Sequence, residues 1–386
     1  MKRHGWLLLA LLLAGVWMTG CTRREANKVA DAAVVRIGLV APLTGPQAHL
    51  GKDNDNGARL ALDEINAAGL TLGGKKVRLE LISEDDQADP RTATIIAQKL
   101  VDNGVAGVIG HLNSGATIPA SKVYHDAGIP QISPSATAIA YTAQGFDTTF
   151  RVMTNDEQQG KVLGGFAVSK LNATRIAIID DRTAYGQGLA DEFAKAAVAA
   201  GAQVVAREFT SDRSTDFMAI LTSIKGKNPQ LLFFGGMDAQ GGPMAKQMKQ
   251  LGLNAQLLGG DGLQTTEFIK LAGADAAGVV ASSPGLALAA MPGGQAFREK
   301  FTARFGSMQI YAPYAYDAMQ VMVAAMRRAD SADPHKYLAA LAGTDYQGVT
   351  GPVRFDAKGD VAGGSVTIYR VQNGAWQGLE TVRSGQ

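Results

Sequence analysis

From Val34 to Ser282, apolar runs of strand length alternate with stretches of helical periodicity. No other feature of the sequence constrains the fold as much. The first series runs from strand Val35–Ala41 to helix Gly57–Ala68, where Ala58, Ala61, Leu62 and Ile65 recur at helical spacing. Strand Val77–Ile82 follows, then a helix opened by Pro90, then Val105–Ile109, helix Ala116–Ala127 and Ile129–Ser133. A second series begins after Phe150-Arg151-Val152 with helix 157–171. It continues through strands Arg175–Asp180, Gln203–Phe209, Leu231–Gly235, Ala255–Leu258 and Gly278–Ser282, with helices Gly188–Ala200, Asp216–Ile224, Ala239–Leu251 and Thr266–Leu271 between them. Such alternation predicts parallel sheets covered by helices on both faces. At 386 residues the chain exceeds what one core of ~250 residues accommodates, so each series is expected to form its own α/β lobe.

The last third breaks the rhythm. Helices 295–305 and 314–329 precede late strands Pro352–Phe355 and Val366–Val371, with glycines 359, 363 and 364 between the strands. This fits a chain that crosses between the lobes more than twice. The expected architecture is two doubly wound parallel-sheet lobes joined by a multi-stranded hinge. Residues 34–153 plus 283–355 would form one lobe, and 154–282 plus 356–386 the other.

The N-terminus reads differently. Lys2 and Arg3 precede an apolar run from Trp6 to Met18, which has the form of a secretory signal and is short for a membrane span of ~20 residues. Met18-Thr19-Gly20-Cys21 places small residues before the only cysteine and resembles a bacterial lipobox, with Cys21 as the lipidation site and 22–33 as a polar tether. Removing Lys2 and Arg3 leaves 35 basic residues against 35 acidic ones, a neutral chain with no basic face for nucleic acid. A single cysteine also excludes a disulfide framework and cysteine-built metal clusters.

Enzyme motifs are missing. There is no H-E-x-x-H, and histidines 4, 49, 111, 125 and 335 have no ligand spacing. Ser114 lacks the leading glycine of a nucleophile elbow, Asp53 replaces the hydroxyl residue of a P-loop after Gly51-Lys52, and Gly186-Gln187-Gly188 lacks a dinucleotide-binding third glycine. No cofactor is expected. What stands out instead is a set of small polar residues after strands: Asn113-Ser114-Gly115, Ser133-Pro134-Ser135-Ala136-Thr137, Ala184-Tyr185-Gly186 and Gly259-Gly260-Asp261-Gly262. In open α/β sheets ligands bind beyond the strand C-termini, where helix N-termini present free N–H groups. The first two clusters offer donors for a carboxylate and the last offers an anion for an ammonium, a division suited to a zwitterionic amino acid. Taken singly, Ser114, Ser135 and Thr137 read as helix caps; taken together with Asp261 and the two-lobe pattern, they read as a binding site.

These motifs, with Gly45-Pro46, Asp85-Asp86, Asp89-Pro90, Gly110-His111-Leu112 and Pro119-Ala120-Ser121, resemble the periplasmic leucine/isoleucine/valine-binding proteins of branched-chain amino acid ABC transporters. The resemblance runs from about Arg36 to the C-terminus. It implies a type I periplasmic binding fold and a monomer, held in the periplasm or at the cell-envelope surface, that passes an amino acid to a membrane permease. It implies that Ser114, Thr137 and the Ser135-Ala136 backbone hold the ligand's carboxylate and part of its ammonium. Tyr185 would line the pocket, and Asp261 would pair with the ammonium. Leu50 and Met237 stand where some members carry tyrosines, Asp261 where some carry glutamate, and Ala88 and Asn113 where some carry a disulfide. An amide, urea or small aromatic acid as ligand, a sensory receptor with the same lobes, and an α/β enzyme remain the alternatives. A buried Asp261 is also expected to make closure unfavourable without an ammonium, because an unpaired buried charge is costly.

Overall fold

The computed structural model describes residues 32–383; the signal segment, Cys21 and most of the tether lie outside them. Two sheets carry the fold. The first contains β1 (Ala33–Ala41), β2 (Leu70–Leu72), β3 (Lys75–Asp85), β4 (Val108–Gly110), β5 (Gln131–Ser133) and β6 (Thr149–Arg151), in the order β2-β3-β1-β4-β5-β6. All its pairings are parallel except that of β2 with β3. The second contains β7 (Arg175–Asp180), β8 (Gln203–Phe209), β9 (Leu231–Gly235), β10 (Gln256–Gly259) and β11 (Val280–Pro284). Two antiparallel strands, β14 (Ser365–Gln372) and β15 (Ala375–Arg383), extend it to β15-β14-β11-β10-β9-β7-β8. Strands β12 (Asp345–Gln347) and β13 (Pro352–Arg354) pair only with each other.

The chain passes between the sheets after β6, after β11, and between β13 and β14. At the first of these passages Arg151 is fully buried. It donates to Asp360 (Nε–Oδ1 2.8 Å), to the carbonyls of Ala136 and Ala138 (3.0 and 2.9 Å) and to Thr142 (2.8 Å). A buried guanidinium is tolerated because nearly all its donors are satisfied in this way. The ion pair ties the first passage to the third and fastens the Ser135–Ala138 loop to both.

Helices flank the sheets, and two of them, the first and the last, differ most from the sequence expectation. The first, α1, spans Ala48–Ala68 and starts nine residues before the apolar periodicity suggests. Its opening turns, rich in Asn, Asp and Gly, have weak helix propensity but are buried: Leu50, Asp53 and Asn54 all face inward. Gly51 and Gly57 allow the approach, since a Cβ would lie 1.9 Å from the Pro42 carbonyl oxygen and 2.2 Å from that of Ala312. Next come α2 (Pro90–Asp102), capped by the Asp89 side chain on the N–H groups of Arg91 and Thr92, and α3 (Ser114–Asp126). α4 (Asp156–Ser169) and α5 (Ala184–Ala199) cross closely through Gly160 and Gly164, where added Cβ atoms would meet Glu192 and Ala196 at 2.6 Å. The remaining helices are α6 (Met218–Lys225), α7 (Asp238–Gln250), α8 (Thr266–Ala272), α9 (Gly294–Phe305), α10 (Ala312–Arg328) and α11 (Pro334–Ala342). The sequence reading contained neither α11 nor β15. Asp333 caps α11 ahead of Pro334, a start signal followed by too short a periodic run to stand out.

Strand β4 begins at Val108 rather than Val105, and β13 ends at Arg354. No helix among the described residues is long and apolar enough to cross a membrane.

Candidate ligand-binding cleft

The strand order reverses at β1 in the first sheet and at β7 in the second, and the polar clusters lie beyond the strand C-termini there. After β4, Asn113 precedes α3 but makes no side-chain cap, which leaves the start of that helix uncapped beside Ser114. After β5, Ser133 shapes the next loop: its Oγ donates to the His111 carbonyl and accepts from the Ala136 N–H, both at 2.9 Å. This holds Ser135, Ala136 and Thr137 buried against Ser114, whose Oγ accepts from the Ala138 N–H at 3.2 Å. Asn54 of α1 donates to Ser135 Oγ at 3.1 Å. Thr137 Oγ1 is buried with no hydrogen-bond partner among the described residues.

The second sheet supplies Tyr185 at the start of α5, Met237 before α7 and Asp261 after β10. Asp261 is buried and accepts three hydrogen bonds. Gln159 Nε2 and the Tyr185 hydroxyl reach Oδ1 at 3.0 and 2.9 Å, and the Tyr311 hydroxyl reaches Oδ2 at 2.6 Å. Tyr185 is itself fixed by the Gly262 N–H, and Gln159 by Ser282. Tyr311 comes from the other lobe: Asp53 of α1 accepts from the N–H groups of Tyr311 and Ala312 at 2.9 and 2.7 Å, so its charge caps the start of α10. Leu50, Tyr185, Met237 and Tyr311 share one contiguous buried apolar cluster.

All eight cleft residues expected from the sequence are therefore buried at these strand ends. The sequence reading missed Asp156, Gln159, Asn54 and Tyr311. Asp156 is the most consequential. It is fully buried at the first position of α4, its N–H donates to the Thr137 carbonyl at 2.9 Å, and neither carboxylate oxygen has a partner among the described residues. Burial pushes its pKa up to about 8, and the charge of Asp261 adds to this, against the positive charge of Arg151. Burial also raises Asp261, against the hydrogen bonds from Tyr311, Gln159 and Tyr185. Two carboxyl groups in one dry site favour a single shared charge until a cation enters. Asp261 has three donors of its own and Asp156 has none among the described residues, so the expectation of an unpaired buried carboxyl fits Asp156 better than Asp261. The sequence signal for Asp156 was an acidic residue opening a helix just after a hinge strand, and such a residue also serves as a helix-dipole partner.

Chemically, the first lobe presents hydroxyls and an uncapped helix start, and the second an acidic, tyrosine-walled face. Among the described residues no cluster of His, Cys, Asp or Glu could hold a metal ion.

The model of the periplasmic binding protein family matches residues 34–375. A "Leucine-, isoleucine-, valine-, threonine-, and alanine-binding protein" of Pseudomonas aeruginosa is 34% identical over 339 residues, covering 88% of this chain and 90% of its own. Among solved structures, the leucine-binding protein LivK of Thermotoga maritima shares 26% identity with a TM-score of 0.84, covering 90% of this chain and 98% of its own. The LivJ substrate-binding protein of Streptococcus pneumoniae, solved with isoleucine, shares 29% with a TM-score of 0.81, covering 91% and 99%. With the family match spanning nearly all the described residues and this cleft at its centre, the chain belongs to the periplasmic binding proteins.

Proposed function

We propose that this protein is the substrate-binding lipoprotein of an ABC importer, and that it captures a small α-amino acid, branched-chain aliphatic in preference, by closing its lobes. One observation carries the reading: donors suited to a carboxylate and two buried carboxyl groups suited to an ammonium face one cleft. Ser114 and the open start of α3 take the ligand carboxylate, while Asp261, Asp156 and the Thr137 hydroxyl take the ammonium. Leu50 and Met237 replace aromatic walls with flexible aliphatic ones, which suits an aliphatic side chain. The isoleucine-bound LivJ relative supports the same ligand class. A ligand as small as leucine reaches micromolar affinity, ~8 kcal/mol, only when nearly every atom is in contact, so enclosure between the lobes is physically required.

The protein acts as a monomeric carrier rather than an enzyme. Its Cys21 is the lipid attachment site that keeps it in the periplasm or at the envelope surface, beside a membrane permease. Calorimetric titration with leucine, isoleucine and valine, alongside 4-methylpentanoate and isoamylamine, tests the ligand class. The amino acids should bind, and the analogues lacking ammonium or carboxylate should lose at least 100-fold. Equal binding of 4-methylpentanoate would refute the two-carboxylate grip. Release of the protein from membranes by Cys21→Ala tests the anchor.

A further inference from the structure

We infer that His49 and Asp238 form a latch across the mouth of the cleft, so that His49 sets ligand affinity through closure without touching the ligand. The inference rests on the capture reading above. His49 lies in the first turn of α1 next to Leu50, and Asp238 opens α7 next to Met237. The two residues thus stand one position from a pocket side chain on opposite lobes, and they meet at 2.8 Å between Nε2 and Oδ2. Asp238 is fully buried; Thr265 Oγ1 donates to the same oxygen at 2.6 Å, while Oδ1 has no partner among the described residues. The His49 side chain keeps 21% of its surface exposed, so it reaches solvent on one side and a dry carboxylate on the other.

Opening the lobes separates this pair and returns both groups to water. Closing them gives Asp238 its one basic partner among the described residues, and a buried carboxylate gains most from a charged donor. The charged groups facing the ring are Asp238 from α7, Glu267 from α8 and Asp53 one turn along α1; the adjacent Lys52 is exposed. Burial disfavours the imidazolium. The hydrogen bond and charge of Asp238, with Glu267 and the Pro46 carbonyl, outweigh it and hold the His49 pKa above its ordinary value.

The sign follows from linkage. A ring whose pKa is higher in the closed form takes up a proton on closure, so the latch is at full strength below the ordinary histidine range of ~6.5. It weakens as pH rises through the raised value. Asp156 works in the opposite direction, because an ammonium favours its ionised form and so favours binding at higher pH. A wild-type pH profile therefore mixes the two, and the ratio of variant to wild type separates them.

The test is the Kd for leucine of wild type and of His49→Gln between pH 5.5 and 8.5. Glutamine keeps an N–H donor and cannot titrate. The Kd ratio should be about 10 at pH 5.5, from a charge-assisted against a neutral hydrogen bond, and should fall toward 1 at pH 8.5. Asp238→Asn should reproduce the loss and make a second His49→Gln change nearly silent. A ratio that stays constant across the range, or grows with pH, overturns the latch. A wild-type protein that binds no leucine defeats the capture reading instead. The latch is then judged on ligand-free protein by small-angle scattering, where wild type should expand relative to His49→Gln between pH 5.5 and 8.5. Superimposable profiles at every pH overturn it.

Discussion

The two faces of the cleft are built in opposite ways. On the first lobe the polar groups come from two short strand-to-helix turns, are neutral, and are held by neighbours close in sequence, as Ser133 holds Ala136. Its helix α3 starts without a side-chain cap, whereas on the second lobe Thr183 caps α5 and Thr265 caps α8. There the working group is a carboxyl, although α7 also starts without a side-chain cap. Asp261 takes its donors from positions 159, 185 and 311, which lie far apart in the chain. One face is a donor surface fixed by local turn chemistry; the other is an acceptor surface assembled from long-range contacts. The first should therefore tolerate change piecemeal, and the second should fail as a unit.

Substitutions can break that contrast in order of expected effect. Asp261→Ala should weaken amino-acid binding by at least 100-fold in calorimetry, the scale for truncating one partner of a buried charge pair. It should lower the ligand-free melting temperature little, because a costly buried carboxyl leaves with it. Asp156→Asn should weaken binding by about 10- to 100-fold, since it removes an acceptor charge but keeps the shape. The same variant should change the pH dependence of stability. A carboxyl whose pKa is raised to about 8 holds a proton in the folded state that the unfolded state has released, so ligand-free stability should fall between pH 4 and 8. Asp53, Asp181 and Asp317, each raised to about 6 by burial, act with the same sign over a narrower window. Melting curves of wild type should therefore drop across that range, and those of Asp156→Asn should drop less. Thr137→Ala should cost about 10-fold in affinity, as one hydrogen bond to a charged ligand group. Tyr311→Phe should cost least, about threefold, because Asp261 keeps its bonds from Gln159 and Tyr185. If Ser114→Ala and Thr137→Ala combine additively while Tyr185→Phe and Gln159→Ala do not, the contrast between the faces stands.

The same asymmetry governed what could be read from the sequence. Ser114, Ser135 and Thr137 were legible because a strand followed by a small polar turn and a helix is a contiguous signal. Tyr185 and Asp261 were visible for the same reason, whereas Leu50 and Met237 were reached only through the family resemblance. Asp156 and Gln159 lie on the buried side of a helix that starts at a hinge strand, where acidic and amide residues look like surface. Tyr311 precedes a helix and has no strand nearby; only the fold brings it to Asp261, through Asp53 on α1. The α/β alternation fixed the layers of both sheets. The start of α1 was hidden because its polar opening turns are buried by the shape of their surroundings rather than by their own hydrophobicity.

The Arg151–Asp360 pair has a mechanical consequence. It fastens the Ser135–Ala138 loop to two of the three passages of chain between the lobes. In a hinged body, displacement grows with distance from the axis. That loop sits at the crossing, close to the fulcrum, and travels little when the lobes swing. An incoming ligand consequently meets a stationary seat on the first lobe, and the far jaw comes down on it.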